Sequence, residues 1–444
     1  MDIKRKVTNV GDDILLHVKE QMWRTFQPTV KLARSEDGLI KGWVEGPLGP
    51  PLQHLVDYYL NQLNQHKVIK SLPDANIYSL YHPPFPSPAA DRAVVARSRD
   101  AVFKLRTPCT NTMAVTYKCQ CNCVHCSAEI KIDKSRQELT TEEWKKVIDD
   151  SCKIGIYGHV ITGGEPCLRP DLPEIIAHVT RDKGVTLMFT NGLLLKKRAK
   201  ELADAGLYAL NVSIDDINPE VHNQLRRTKN CFELAMEGAA AVRELGILTG
   251  ISTYATREKI RNGDLEKLIQ IAREQGFIEV TIFDPMPSGK WMHDTSCVLD
   301  EDERKYLREL NNKYRQLPNE PGVITQSYIN SPHGEGCFGG YNQVYITAYG
   351  DINPCDFNPV TFGNVRDEGG LFKAWYKMTH HGEYRCRRKH CRMQNPAYRH
   401  IYIDSIPENA QWPIPIEFYE NRGNGNQQKE KQHTSRQGRQ AHQH

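Results

Sequence analysis

Four cysteines fall within eight residues, at Cys119, Cys121, Cys123 and Cys126. The first, third and fourth of them have the spacing C-x3-C-x2-C. Three thiolates at this spacing can bind three irons of a 4Fe-4S cubane and leave the fourth iron open to another ligand. A structural zinc ion is the alternative, but it usually takes four protein ligands in two separated pairs. The residue types therefore favour an iron–sulfur cluster with one open iron.

A second group of cysteines lies late in the chain, at Cys337, Cys355, Cys386 and Cys391. The chain starts without a secretory hydrophobic segment, so we interpret its clustered thiols as ligands of a metal or cluster rather than as a disulfide framework. The segment QVYITAYGDINPCDF, which contains the second of these cysteines, predicts a β-hairpin that turns near Gly350.

Length, composition and charge exclude several classes of protein. The chain has 444 residues, which suggests about three folding units. No apolar run approaches the ~18 residues of a membrane span, so we expect a cytoplasmic protein with no membrane partner. Residues 421–444 carry five basic residues and one acidic residue, which account for the whole net charge of +4. The remainder is neutral, and no nucleic-acid partner is expected.

Short β-rich runs alternate with helix-like segments over residues 107–316. Each of the five helix-like segments ends at a glycine, a common helix stop. Alternation at this spacing predicts βαβ units around a parallel sheet. The pattern alone allows either a partial barrel or an open doubly wound sheet. The predicted strands are 112–118, 158–164, 185–192, 207–215, 247–255 and 278–285.

Residues 1–106 form an N-terminal extension that we expect to be mainly helical. Its helix-like stretches are 14–26 and 51–68. Between residues 82 and 92, repeated X-Pro steps predict an extended linker or strap. The extension is long enough to take part in substrate recognition.

The C-terminal part of the chain changes in composition. Residues 317–400 are richer in Gly, Pro, Asn and Cys, which suits a small region organised around metal. Residues 401–420 form a C-terminal segment. Residues 421–444 cannot bury enough apolar surface to become ordered, and we predict a disordered tail.

The chain resembles the radical S-adenosylmethionine (SAM) enzymes. Cys119, Cys123 and Cys126 match that family's cluster motif, and His125 occupies its usual aromatic position before the last cysteine. Further motifs follow in the family's order at the carboxyl ends of predicted strands, where ligands gather in parallel βα architectures. These motifs are Gly163-Gly164-Glu165-Pro166, Thr190-Asn191-Gly192, Asn211-Val212-Ser213-Ile214-Asp215 and Ser252. The resemblance covers about 107–290 and implies a partial (β/α)6 TIM-like barrel.

The resemblance also implies how these residues act. The GGEP segment is expected to bind the SAM amino group, with Glu165 as an acceptor, and Ser213 to meet the ribose. Arg226 is expected to meet the SAM carboxylate, although its neighbour Arg227 could serve instead. The expected SAM-binding residues are His125, Gly163, Gly164, Glu165, Pro166, Thr190, Asn191, Ser213, Arg226 and Ser252. No catalytic residue is assigned, but Cys121 and Cys167 adjoin these motifs and could return a hydrogen atom to a substrate radical, as in radical SAM epimerases.

The late cysteines are similar to those of the SPASM and twitch extensions, which hold auxiliary clusters in this family. Cys337, Gly350 and Cys355 match the opening of that pattern, whereas Cys386-x4-Cys391 departs from its later part. We therefore expect the shorter, twitch-like form with one auxiliary 4Fe-4S cluster bound by all four cysteines. A zinc ion held by the same thiolates, or by a set that includes His390, is the alternative.

The sequence is compatible with three functions. The first is a radical SAM enzyme that cleaves SAM reductively to a 5'-deoxyadenosyl radical and oxidatively modifies a peptide. The second is a radical SAM enzyme that acts on a small molecule such as a tetrapyrrole or an aminocyclitol. The third is an iron–sulfur or zinc binding protein without SAM chemistry. Either enzyme would need an electron donor such as flavodoxin or ferredoxin.

Overall fold

A computed structural model of the chain describes Met22 and residues 28–47, 49–180, 183–407 and 410–420. The predicted helix over 14–26, apart from Met22, and the predicted tail over 421–444 lie outside the described residues. Within the described part, no helix is both long enough and apolar enough to cross a membrane.

A nine-stranded sheet forms the centre of the molecule, and all six predicted strands belong to it. Seven consecutive strands run parallel, each beside its neighbour in the chain. A doubly wound sheet would instead reverse its strand order at a switch point. The order therefore selects the partial barrel. The parallel strands are β5 (Thr110–Thr116), β6 (Gly158–Gly163), β7 (Val185–Thr190), β8 (Ala209–Ser213), β9 (Leu248–Tyr254), β10 (Glu279–Phe283) and β11 (Gly322–Thr325).

Helices cover the outer face of this sheet. The helix that starts at Thr141 has a capping box, in which the Thr140 and Glu143 side chains each bond to the other's backbone N–H, and it ends at Gly155 in the left-handed conformation. Its fully buried Trp144 belongs to the same core as Met188 of β7. The helices after β5 are α3 (Thr141–Ile154), α4 (Leu172–His178), α5 (Leu195–Asp204), α6 (Pro219–Arg226), α7 (Cys231–Glu244), α8 (Arg257–Asn262), α9 (Asp264–Glu274), α10 (Glu301–Gln316) and α11 (Gln326–Ile329).

The cysteine-rich C-terminal region continues the sheet. Strand β12 (Gln343–Ile346) pairs in parallel with β5 and antiparallel with β13 (Ile352–Asn353), which confirms the predicted hairpin. Gly350 takes a φ of 90° in its turn. The two ends of the sheet are β11 and β13, and backbone pairing does not join them. We call this gap the barrel seam. The remaining elements are β14 (Val360–Thr361), α12 (Gly370–His380), α13 (Pro396–Tyr402) and β15 (Ile414–Pro415).

The N-terminal extension contains more strand than expected. A hairpin over residues 29–45 packs on two helices, and the predicted extended stretch becomes helical at Pro88. The helix can begin there because proline suits the first turn and the Ser87 hydroxyl accepts a hydrogen bond from Ala90 N. The elements are β1 (Thr29–Arg34), β2 (Ile40–Glu45), α1 (Gly49–Leu63), β3 (Lys70–Ser71), β4 (Asn76–Ile77) and α2 (Pro88–Phe103).

The segment between β4 and α2 closes the amino end of the barrel. Leu80 packs against Leu187 and Leu248, which lie near the amino ends of their strands. The backbone N–H of Leu80 donates to the carboxylate of Glu279 over 3.3 Å. The carboxyl end of the barrel is therefore the end left for a site.

Candidate functional site

The cysteine loop follows β5 at the carboxyl end of the barrel and is fixed by neighbouring strand ends. Asn191, just after β7, directs its amide nitrogen at the Cys121 sulfur over 3.5 Å. The loop backbone also bonds to the end of α6, where Val124 N donates to the Leu225 carbonyl over 3.0 Å. The structure therefore brings the predicted cysteine and Thr-Asn-Gly motifs together.

Three thiols of this loop, those of Cys119, Cys121 and Cys123, lie close to one another. Hydrogen bonds with the thiols of Cys119, Cys123 and Cys231 lower the pKa of the Cys121 thiol. Within the described ranges, no three Cys, His, Asp or Glu side chains are arranged to hold a single metal ion. Cubane ligands bind separate irons and need not converge on one ion. Soft thiolate donors on one loop suit an iron–sulfur cluster.

The paired glycines after β6 allow two backbone segments to touch. A Cβ on Gly163 would lie 2.1 Å from the Thr116 carbonyl oxygen, and one on Gly164 would lie 2.4 Å from that of Lys118. Gly164 N donates to the Thr116 oxygen over 2.7 Å. The glycines thus hold the start of the cysteine loop against the GGEP segment, a close approach that no other residue permits.

The Glu165 side chain is fully buried, and its hydrogen bonds are to other groups of the protein. Its carboxylate accepts hydrogen bonds from Thr190 Oγ1 and Asn191 N over 2.8 Å each, and from Cys167 N over 3.0 Å. These bonds tie the GGEP segment to the end of β7, leaving about one acceptor position of the carboxylate for another donor. The predicted contact between Glu165 and the SAM amino group stays a prediction.

Arg226, rather than Arg227, faces the site. Its Nε donates to Asp215 Oδ2 over 2.7 Å, and its side chain is buried. Arg227 is exposed at the end of α6. Burial opposes ionisation of Asp215, but Arg226 and His125 outweigh it and hold the pKa of this carboxyl below its ordinary value.

His125 belongs to an aromatic cluster at the same end of the barrel. Its ring lies 4.5 Å from that of Tyr254 and 5.9 Å from that of Trp291, between centroids. Its Nε2 is 3.5 Å from Asp215 Oδ2. Burial lowers the pKa of His125 to about 4, against the pull of Asp215. The imidazole is therefore neutral near pH 7 and presents an uncharged aromatic face.

Two adjacent strand ends place their serines, Ser213 and Ser252, together. Ser252 Oγ donates to Ser213 Oγ over 3.3 Å. Below them on β8, the amide of Asn211 is fully buried and neither of its polar atoms has a hydrogen-bond partner. A buried amide in that state indicates a polar group that a ligand can satisfy.

The two candidate hydrogen donors have different surroundings. Cys167 is 3% exposed and packs in the core beneath the helices, with its sulfur 3.9 Å from Thr190 Oγ1, and its role as a hydrogen donor stays a prediction. The preceding Glu165 bonds hold its backbone in that orientation. Cys121 lies among the loop thiols and is partly exposed.

The inside of the barrel is lined by aromatic rings. Tyr81, Phe189, Phe283 and Phe357 form what we call the aromatic row, with successive ring centroids 6.4, 6.1 and 6.3 Å apart. Alternate residues of β7 and β10, such as Met188 and Ile282, point outward into the helical core. All four rings stay partly exposed despite their central position. They therefore face the inside of the barrel beside the SAM-site motifs, and we call the space next to them the interior chamber.

Three of the four late cysteines come together at the top of this chamber. Burial raises the pKa of the Cys355 thiol, and Asp356, Cys337 and Cys391 raise it further. Cys386 instead lies in an exposed segment. The structure thus gathers Cys337, Cys355 and Cys391 and leaves the fourth predicted ligand at the surface.

Comparison with known families identifies the two cysteine regions. The model of the radical SAM superfamily matches residues 113–270, and the SPASM model, described as an iron-sulfur cluster-binding domain, matches residues 337–395. The chain is a radical SAM enzyme with a SPASM-type extension. Its cofactors are SAM and a 4Fe-4S cluster, with further iron–sulfur binding in the extension. When bound, they supply a 5'-deoxyadenosyl radical that abstracts hydrogen from substrate.

Relatives of this radical SAM enzyme act on different substrates. It is 29% identical over 278 residues to the AdoMet-dependent heme synthase of Methanosarcina barkeri, covering 57% of this chain and 78% of the relative. It is 25% identical over 306 residues to the PqqA peptide cyclase of Bradyrhizobium diazoefficiens, covering 66% and 79%. Streptococcus suis SuiB bound to precursor peptide SuiA aligns over 73% of this chain and 76% of that chain, with a TM-score of 0.51 and 16% identity, which shows a shared fold.

Sequence reasoning missed several residues of this site. Tyr254 and Trp291 contact His125 but belong to no motif in the printed sequence. Asn211 was visible only as the first residue of a motif, two positions before Ser213. No motif or spacing in the sequence marks Lys131, which follows the cysteine loop. Strand alternation could have placed Tyr254 on the same inner face as Ser252.

Proposed function

We propose that this radical SAM enzyme oxidatively modifies one side chain of a peptide, which enters the interior chamber from the barrel seam. The observation that supports this proposal is the barrel seam. Because β11 and β13 are not paired, a peptide backbone can remain outside the sheet while a side chain reaches inward. SuiB, a protein of this fold, has been seen with a precursor peptide bound.

The chamber itself favours an apolar or aromatic side chain with a polar group. The aromatic row supplies rings for edge-to-face and offset contacts, each worth about 0.5–1.5 kcal/mol beyond burial. The unpartnered amide of Asn211 lies on β8, close to Gly250 of β9. It would bond to a polar atom of the bound group.

The β2 edge of the N-terminal hairpin is not free to pair with such a peptide. Gln53 of α1 donates to the Gly42 carbonyl and accepts from Val44 N, and Asn64 bonds in the same way to both backbone groups of Ile40. These bonds occupy the outer edge of β2. A leader segment would therefore not add a strand at β2.

A tetrapyrrole is the second candidate substrate. The heme synthase of Methanosarcina barkeri is more similar in sequence than the peptide cyclase, although its alignment covers less of this chain. The aromatic row could also stack on a flat macrocycle. A small molecule would have to fit wholly inside the chamber, whereas a peptide would not.

We also propose ligand sets for the two clusters. Cys119, Cys123 and Cys126 hold the SAM-binding cluster, while Cys337, Cys355 and Cys391 hold the auxiliary cluster, with Cys386 completing it from the exposed segment. The expected residues at the carboxyl end of the barrel, from His125 to Ser252, bind SAM. Flavodoxin or ferredoxin supplies the electron.

The experiment presents both substrate classes to the same enzyme. Reconstituted protein is reduced anaerobically with SAM and either Fe-coproporphyrin III or synthetic peptides encoded by short reading frames beside its gene. We expect one peptide to lose two mass units and to raise 5'-deoxyadenosine formation, and a Cys123→Ala variant to do neither. Conversion of the tetrapyrrole with all peptides unchanged would reject the peptide and establish the second candidate.

A further inference from the structure

Lys131 is a lysine buried in the protein interior, with 2% of its surface exposed. It ends the short turn Glu129–Lys131, five residues after Cys126. Lysine is almost never fully buried unless its charge is paired, because removing an ammonium from water is costly. Its burial therefore calls for a compensating negative charge.

The ammonium of Lys131 has few partners in the protein. It donates a hydrogen bond to the backbone carbonyl oxygen of Asp356 and lies 4.9 Å from the ring centroid of Tyr345. No ion pair joins it to a carboxylate among the residues that the structure describes. An ammonium has three donors, so two remain for other groups.

A second buried cation near the late cysteines gives the contrast. Arg392 donates from Nη1 to the Cys337 sulfur over 3.4 Å. Its Nε forms an ion pair with Glu383 over 3.0 Å, so protein carboxylate already balances its charge. Lys131 forms no such ion pair among the described residues, although the Asp356 carboxyl group acts on it from a longer distance. Its charge can therefore also act on other negative groups nearby.

The negative groups that face Lys131 come from both cysteine regions. Burial lowers the pKa of its ammonium, whereas Asp356, Cys355 and Cys126 oppose that shift. Cys126 and Cys355 act on the neighbouring Tyr345 as well. Lys131 bonds to the residue after Cys355 and lies over the Tyr345 ring, and a cysteine of each proposed cluster site acts on both side chains.

We propose that Lys131 is the buried cation that raises the reduction potential of the auxiliary cluster at Cys355. Reduction of a cluster adds one negative charge, and a fixed positive charge nearby in a medium of low polarity stabilises the reduced form. Lys131 is a positioning charge and transfers no proton or electron. The inference rests on the proposed assignment of Cys355 to the auxiliary cluster.

The test is a reductive titration followed by electron paramagnetic resonance on the full, reconstituted chain. Lys131→Met removes the charge with little change in volume, and Lys131→Arg keeps it. Lys134→Met is the matched control, since it removes a charge three residues away at an exposed position. A Cys119/Cys123/Cys126→Ala background identifies which signal belongs to the auxiliary cluster.

We expect Lys131→Met to weaken auxiliary-cluster reduction at least tenfold, which is about 59 mV for one electron. Lys131→Arg and Lys134→Met should shift it much less. If Lys131→Met does not assemble the cluster, the same measurement is made on Lys131→Gln, which keeps a donor for the Asp356 carbonyl. An unchanged auxiliary potential in the variant that holds its cluster overturns the proposal. A wild-type chain with only about four irons overturns the ligand assignment instead, and with it this inference.

Discussion

Arg226 and Asp215 form a buried ion pair at the carboxyl end of the barrel, with 2.7 Å between Nε and Oδ2. The pair holds the guanidinium through Nε, and neither terminal nitrogen has another hydrogen-bond partner among the described residues, so both can bind a planar carboxylate. His125 Nε2 lies 3.5 Å from the same Asp215 oxygen. One carboxylate therefore orients two of the residues that we expect to contact SAM.

Arg226→Lys should weaken SAM binding at least tenfold. Lysine is a point charge that cannot keep the Nε bond to Asp215 while presenting a fork to the ligand. Arg227→Lys is the matched control, because Arg227 is exposed and directed away from the site. Anaerobic equilibrium dialysis with labelled SAM measures both. Equal losses of affinity in the two variants would contradict the assignment of Arg226.

Gly164→Ala should destabilise the protein by about 1–3 kcal/mol, the usual cost of overpacking. Its new Cβ would lie 2.4 Å from the Lys118 carbonyl oxygen. A backbone oxygen, unlike a side chain, cannot relieve such a clash by changing rotamer. Gly382→Ala, with no atom within 4 Å, should stay within about 0.5 kcal/mol of wild type. Urea unfolding of the cluster-free chain measures both. A neutral Gly164→Ala would show that the two segments are not in contact.

Glu279 should make stability fall as pH rises. Burial raises the pKa of this carboxyl to about 7 from an ordinary 4.5. Between these two values the unfolded chain ionises while the folded chain keeps the proton, so the folded state binds more protons and loses stability. The loss reaches about 3 kcal/mol above pH 7.

Glu279→Gln separates this effect from those of other titrating groups. Glutamine keeps an acceptor for the Leu80 N–H but has no charge. The free energy of unfolding of the variant should therefore depend less on pH between 5 and 8 than that of wild type. Parallel pH dependence in the two proteins would show that Glu279 ionises freely.

Removal of the first cysteine set should halve the iron content. Wild type should contain about eight irons and the Cys119/Cys123/Cys126→Ala variant about four, since the two cubanes assemble on separate ligands. Anaerobic iron and sulfide analysis measures this. Loss of all iron in the variant would mean that the two sites do not assemble independently.

The barrel was predictable because its signals are local. Buried parallel strands appear as short β-rich runs, and glycine stops separate them from amphipathic helices. The cysteine motif and the glycine motif are also local, since each is contained within a few consecutive residues. Chain-order pairing of the strands, which the sequence left open between two sheets, was settled only by the structure.

The rest of the site depends on contacts between distant segments. Lys131 donates a hydrogen bond to Asp356, which is 225 positions away in sequence. No local sequence pattern predicts a contact between residues so far apart. The N-terminal hairpin was missed because Gln53 and Asn64, rather than a third strand, complete its edge. Cys386 was expected to be a ligand only because a cluster takes four cysteines. The spacing of the cysteines does not show that Cys386 is exposed.

The decisive measurement is whether the cluster at Cys119, Cys123 and Cys126 cleaves SAM reductively. Reconstituted protein is incubated anaerobically with SAM and dithionite, and 5'-deoxyadenosine is measured by chromatography against a Cys126→Ala variant. Wild type should form 5'-deoxyadenosine steadily, and the variant should form none above background. A brown, iron-loaded wild-type protein that leaves SAM intact would contradict it.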